Sequence, residues 1–163
     1  MIQLIAPTGP LVGALFYGQV IQLDYLAVAA AGFLGTVTRA ILGKLMQTGF
    51  DIPFPVGTLV INLTGCFILS FFLHITIERL TINPRLRLAV GTGFLGAYTT
   101  FSTFAVESIN LLRTGHPWLS LAYILSTSLG CILLAWIGAV LSRAVTTTKR
   151  RKELKEENQI RSE

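Results

Sequence analysis

Charge is scarcest where the chain is longest. Lys and Arg number 13 and Asp and Glu 8, only 13% of the residues, where a soluble domain carries about 25%. Eleven of these 21 charges stand in residues 142–163, and ten serve the first 141. Such a distribution excludes an ordinary water-soluble domain. It also excludes a nucleic-acid surface as the reason for the net charge of +5, because the excess lies in one basic tail beside apolar sequence. That tail is drawn to anionic lipid, although a solvated tail that sets orientation is the simpler account. Cysteine is also short, with only Cys66 and Cys131, each inside an apolar run. They read as small core residues, and their spacing suggests neither a disulfide framework nor a metal cluster. Residues 1–23 hold no charge, so they lack the positive n-region of a signal peptide. Pro7 and Pro10 argue against a further spanning helix there, and a loose or interfacial leader is expected over 1–24. No internal repeat is visible.

What remains is four apolar segments over 25–142, an all-α membrane domain of four transmembrane helices, and a charged, disordered tail over 143–163. The first segment runs from about Tyr25 to Leu42. Ala27, Ala31 and Gly35 recur every fourth residue, a flat ridge against which another backbone can pack closely. Arg39 continues the row, either snorkelling to the membrane edge or pairing with a carboxylate. A loop over Lys44–Asp51 follows, and Pro53 and Pro55 open the second segment. Thr58, Asn62, Cys66, Ser70 and His74 then fall at successive i+4 positions, one polar stripe on a charge-free helix. An amide at mid-membrane is expensive unless it meets a partner or a wet path. Both readings stand for Asn62, interhelical glue or the lining of a path. His74 reads as an interface residue. In the fourth segment Tyr123, Thr127 and Cys131 share a face.

The third segment is the most unusual. Gly91, Gly93 and Gly96 fall within six residues, and Thr99-Thr100 follows. Each glycine costs a helix roughly 1 kcal/mol against alanine, and a threonine hydroxyl competes for the backbone. A membrane helix weakened at mid-depth frees carbonyls for an ion or a cavity. Phe101 and Phe104 then point the same way, one turn apart.

Gly91-x-Gly93-x-x-Gly96 spells a dinucleotide pattern, but no acid follows at the required distance and the flanks are membrane spans. Ser102, Glu107 and a histidine do not make a hydrolase, since no nucleophile motif surrounds the serine. An ion path accounts for more features together. Freed carbonyls suit a cation, whereas amide, hydroxyl and aromatic ring edges suit an anion. No Lys or Arg lies deep enough to trap an anion, which favours fast passage.

Residues 91–107, with Gly32-Phe33-Leu34-Gly35-Thr36-Val37-Thr38-Arg39 and Gly57-Thr58-Leu59-Val60-Ile61-Asn62-Leu63-Thr64-Gly65, strongly resemble the Fluc (CrcB) family of fluoride channels. The resemblance spans about Leu26 to Leu141. It implies passive F⁻ efflux across the cell inner membrane and fluoride resistance, with no bond chemistry. It implies an antiparallel dimer, with a structural, untransported Na⁺ held by the backbone carbonyls of Gly96 and Thr99 from both subunits. Phe101, Phe104 and Ser102 would line the pore and Asn62 would donate to fluoride, with Thr58, Glu107, Tyr123 and Thr127 flanking. Gly35, Gly93 and Arg39 would be structural. Many members carry glycine where Ala97 stands. Charge balance departs further. Ten Lys and Arg fall on the side of the termini and second loop, and three, Arg39, Lys44 and Arg113, on the other. Dual topology needs near balance, so either the bias is tolerated or the partner is an oppositely oriented paralogue. A non-conducting four-helix scaffold is the rival reading.

Overall fold

Proline and glycine set the helix ends. Asn83 caps one helix by accepting the Arg85 N–H at 3.0 Å, with Pro84 at the first helical position. Another helix stops at Gly115, whose φ of 81° is open to glycine. There the N–H of His116 reaches Leu111 O at 2.9 Å and that of Gly115 reaches Leu112 O at 3.2 Å, a Schellman closure. Pro117 starts the next helix immediately.

The computed structural model describes residues 10–48, 53–78 and 82–161, with side chains over 24–47, 53–77 and 82–147. Every element among them is helical: α1 (Pro10–Thr48), α2 (Val56–Glu78), α3 (Pro84–Leu88), a π-helical segment (Ala89–Leu95), α4 (Gly96–Tyr98), α5 (Phe101–Arg113) and α6 (Pro117–Arg161). Among the described residues, three stretches are long and apolar enough to cross a membrane: Asp24–Gln47, Val56–Ile77 and Pro117–Thr147. Large apolar side chains such as Phe33, Ile41, Leu129 and Trp136 are exposed, as suits a chain whose outer solvent is lipid or another protein.

Three boundaries differ from the sequence expectations. Where a loose leader is expected over 1–24, α1 runs unbroken from Pro10; a proline at the first helical position removes no hydrogen bond, so it starts a helix rather than breaking one. The loop expected from Lys44 begins only after Thr48, because Lys44, Leu45, Met46 and Gln47 are all good helix formers. The tail over 143–161 continues α6; it is rich in Lys, Arg and Glu, and contains neither glycine nor proline to stop the helix.

Two seams organise the packing. In one, α1 lies against the π segment and α4. A Cβ on Gly93 would stand 2.7 Å from Val28 O and 3.0 Å from the Ala31 Cβ, and one on Gly35 would overlap the Phe94 carbonyl. Ala31 and Gly35 of the expected ridge therefore lie on the surface where backbone meets backbone. In the other seam, α2 and α6 make the most extensive contact of the fold. Ser70 Oγ donates to Ala135 O at 2.6 Å, a pair separated by 65 positions. The same offset matches Thr58 to Tyr123, Asn62 to Thr127 and Cys66 to Cys131, so the helices run parallel with their polar stripes in register. Asp24 and Arg85 form an ion pair between α1 and α3.

Candidate functional site

The site grows from two residues that leave the helix. Thr99 adopts φ −74°, ψ 154° and Thr100 φ −145°, ψ 118°, both extended, between α4 and α5. The glycines before them do not break the chain. They form the wider π-helical turns, where Gly91 and Gly93 are buried. Hydrogen bonding explains why the interruption falls at the threonines. The Asn62 amide accepts from Thr100 N–H at 2.8 Å and donates to Thr100 O at 3.0 Å. The Thr100 hydroxyl caps α5 by accepting from Thr103 N–H at 3.2 Å.

These two bonds redirect the donors that a continuous helix would send to Gly96 O and Thr99 O. The Thr100 N–H goes to Asn62, and the Thr103 N–H goes to a side chain. The Leu95 carbonyl stays engaged, accepting from Thr99 N–H and from its hydroxyl, both at 3.1 Å. Asn62 serves as glue and keeps one N–H free, since an amide has two. The glue joins α2 to an irregular backbone rather than to a second helix.

Phe101 is 80% exposed on the single chain, Ser102 is exposed, and Phe104 is half-buried. The phenylalanine rings stand 5.8 Å apart, and Phe104 lies 5.3 Å from the Tyr123 ring. Phe54 meets the other side of Tyr123 edge-on at 5.5 Å. One turn on, Glu107 is shared. Thr58 Oγ1 donates to its Oε1 at 2.9 Å and Tyr123 OH to its Oε2 at 2.8 Å. Thr58 and Tyr123 are thus positioned by a carboxylate, a pairing that residue spacing did not reveal.

Two cavities flank this cluster. A smaller one, about 270 Å³, is lined by Asn62, Cys66, Thr99, Thr100, Phe101, Phe104, Thr127, Ser128 and Cys131. Thr127 is 5% exposed, and its hydroxyl has no hydrogen-bond partner among the described residues. A wider one, about 610 Å³, is bordered by Lys44, Gln47, Thr58, Glu107 and Asn110, among others. Tyr123 touches Glu107 on the wide cavity and Phe104 on the smaller one. Lys44 escaped the sequence reading because that reading ended the helix before it. Its exposed position on the α1 extension brings a cation to the wide cavity.

Other predicted residues stand apart. Gly35 and Gly93 belong to the α1 seam, and Gly96 is exposed with nothing nearer its would-be Cβ than Gly91 O at 3.8 Å. Arg39 makes no ion pair among the described residues. His74 Nδ1 lies 2.8 Å from Ser70 O, within its own helix.

The chain is similar to several known proteins. The family model described as CrcB-like protein, Camphor Resistance (CrcB), matches residues 26–139. A fluoride-specific ion channel FluC of Aquifex aeolicus is 42% identical over 119 residues, covering 73% of this chain and 96% of that one. FluC 1 of Moorella thermoacetica is 40% identical over 77% of this chain and 89% of its own length. FluC of Solibacter usitatus is 40% identical over 74% and 99%.

Proposed function

The chain belongs to the CrcB-like family, and from that premise we propose that it is a fluoride-specific channel releasing F⁻ passively through a multi-pass membrane protein. The reading rests above all on one observation. Asn62, Phe101, Phe104 and Thr127 border one cavity at the interruption of the third pass. We read that interruption as lying at mid-membrane, in the inner membrane of the cell.

Fluoride is a compact anion and needs donors. The second N–H of Asn62 and the hydroxyls of Thr127 and Ser102 supply them, and the edges of Phe101 and Phe104 add positive quadrupole. None is a fixed cation, so the ion is held weakly enough to leave. Lys44 at the wide cavity raises the local concentration of anions. Glu107 accepts from Thr58 and Tyr123 and keeps both hydroxyls oriented beside the path.

Phe101 calls for a partner, since a pore wall cannot face lipid. We propose an antiparallel dimer in which a second copy covers it. The carbonyls of Gly96 and Thr99, deprived of their helical donors, suit a hard cation such as Na⁺. Two oxygens per chain are few, so the second copy would contribute its own pair. The ion would supply positive charge that ties two interrupted backbones together, without being transported. The bias of ten to three in Lys and Arg favours a second form of the assembly, with an oppositely oriented paralogue as partner. A single orientation of a C-terminal tag, in cells that have no paralogue and still expel fluoride, would rule out the antiparallel homodimer.

Fluoride efflux from liposomes holding the purified chain, followed with a fluoride electrode and a chloride control, tests the channel. Rapid F⁻ release without Cl⁻ release is expected. No release from a folded dimer would favour the scaffold or paired-paralogue reading.

A further inference from the structure

Cys66 and Cys131 supply none of the donors to fluoride proposed above, although both border the smaller cavity. Their pairing follows from the register of the α2–α6 seam. Thr58 and Tyr123 meet on Glu107 below them in number, and Ser70 bonds Ala135 above them at the same offset of 65. The two cysteines are the rung between. Both side chains line the same cavity, at matching positions of the two helices. Both are free and half-buried, so they are open to the cavity without being surface residues.

From this geometry we propose that Cys66 and Cys131 form a paired-thiol site that takes one soft, thiophilic centre, and that filling it blocks the cavity beside Asn62 and Phe104. Sulfur ligands select soft centres over the hard ions that oxygen donors prefer. Two adjacent thiols on different helices further favour a species that bonds both at once over one that bonds either alone. Trivalent arsenic meets both conditions. With an aryl arsenoxide, each thiol gives up its proton, two As–S bonds form, and the arsenoxide oxygen leaves as water. Arsenic stays trivalent, so no oxidant or reductant is needed. The aryl group is left in a space of about 270 Å³ shared with the proposed pore residues.

The blocking half of the proposal rests on the channel reading; the binding half does not. The probe is phenylarsine oxide added to the purified full-length chain. Intact mass spectrometry should show one phenylarsenic group per folded chain, removed by excess small dithiol. Cys66→Ser and Cys131→Ser should each abolish the adduct, with the alanine variants as a check that the fold survives. In liposomes the wild type should lose fluoride efflux on treatment and regain it with dithiol, while both variants conduct throughout. An adduct that persists in either single variant, or one absent from the folded wild type but formed on the denatured chain, overturns the site. An adduct that leaves efflux unchanged overturns the block. Efflux by untreated wild type separately tests whether the chain is a channel at all.

Discussion

The two seams of this fold use opposite means. Along α1 and the π segment, glycine meets carbonyl and no side chain stands between. Gly93 abuts Val28 O, and Gly35 abuts Phe94. Along α2 and α6, the register is kept by the Ser70–Ala135 bond and by the carboxylate that Thr58 and Tyr123 share, and the seam borders a cavity. That seam is also tight in places, where a Cβ on Gly130 would come within 2.6 Å of the Leu63 side chain and one on Gly138 within 2.7 Å of Phe67 O. Close packing of backbones fixes shape and leaves no room for an ion. A polar row that also borders a cavity holds the helices together and keeps donors to spare. Function is to be sought along the second seam, and the first is the scaffold that holds the π segment and α4 in place.

Substitutions can break this contrast, the most damaging being Gly35→Leu. A large side chain there meets the Phe94 backbone, which cannot yield as a side chain would. Overpacking of about 1–3 kcal/mol or more should remove the folded species from size-exclusion chromatography, and flux with it. Phe104→Ile should be nearly as severe for flux and mild for fold. An apolar swap of this kind costs under roughly 1.5 kcal/mol, so thermal unfolding should move little while fluoride efflux stops. Loss of efflux only in proportion to loss of folded protein would return Phe104 to the packing.

Asn62→Ala comes next. It strands a buried N–H and carbonyl of Thr100, which costs about 1–3 kcal/mol. Hydrogen exchange at the Thr100 amide should accelerate, and efflux should fall. Unchanged exchange would mean that the threonines keep the interruption closed without the amide. The smallest effect is expected for Asp24→Asn. The pair with Arg85 is partly exposed and far from both cavities of the path, so stability should change by about 1 kcal/mol or less and efflux not at all.

Much of the second seam was legible beforehand. The i+4 stripe from Thr58 to His74 and the face of Tyr123, Thr127 and Cys131 are local patterns, and local patterns survive folding. The ridge ending at Gly35 was legible for the same reason. Which stripe faces which helix was not, because register between segments 65 positions apart is set by packing. The Asn62–Thr100 exchange and the sharing of Glu107 between Thr58 and Tyr123 are products of that register. Glycine misled in a different way. The propensity argument weakens the helix at Gly91–Gly96, yet buried small residues pack against α1 and the backbone widens to a π-helix instead of breaking. The interruption falls where side chains offer the backbone other partners. At the ends, a proline that starts a helix and a charged run of good helix formers both looked like disorder because neither carries a hydrophobic period.

Thr127 tests most directly the claim that the second seam serves an ion. Its hydroxyl is buried beside the smaller cavity and bonds nothing among the described residues. Thr127→Val keeps the shape and removes the donor. Fluoride efflux from liposomes and thermal unfolding should be measured on the same preparation. The account predicts slower efflux with stability unchanged or slightly raised, since no bond is lost and an unsatisfied polar group is removed. Unchanged efflux with a loss of stability would contradict it, and would make the polar row of α2 and α6 a device for holding helices together.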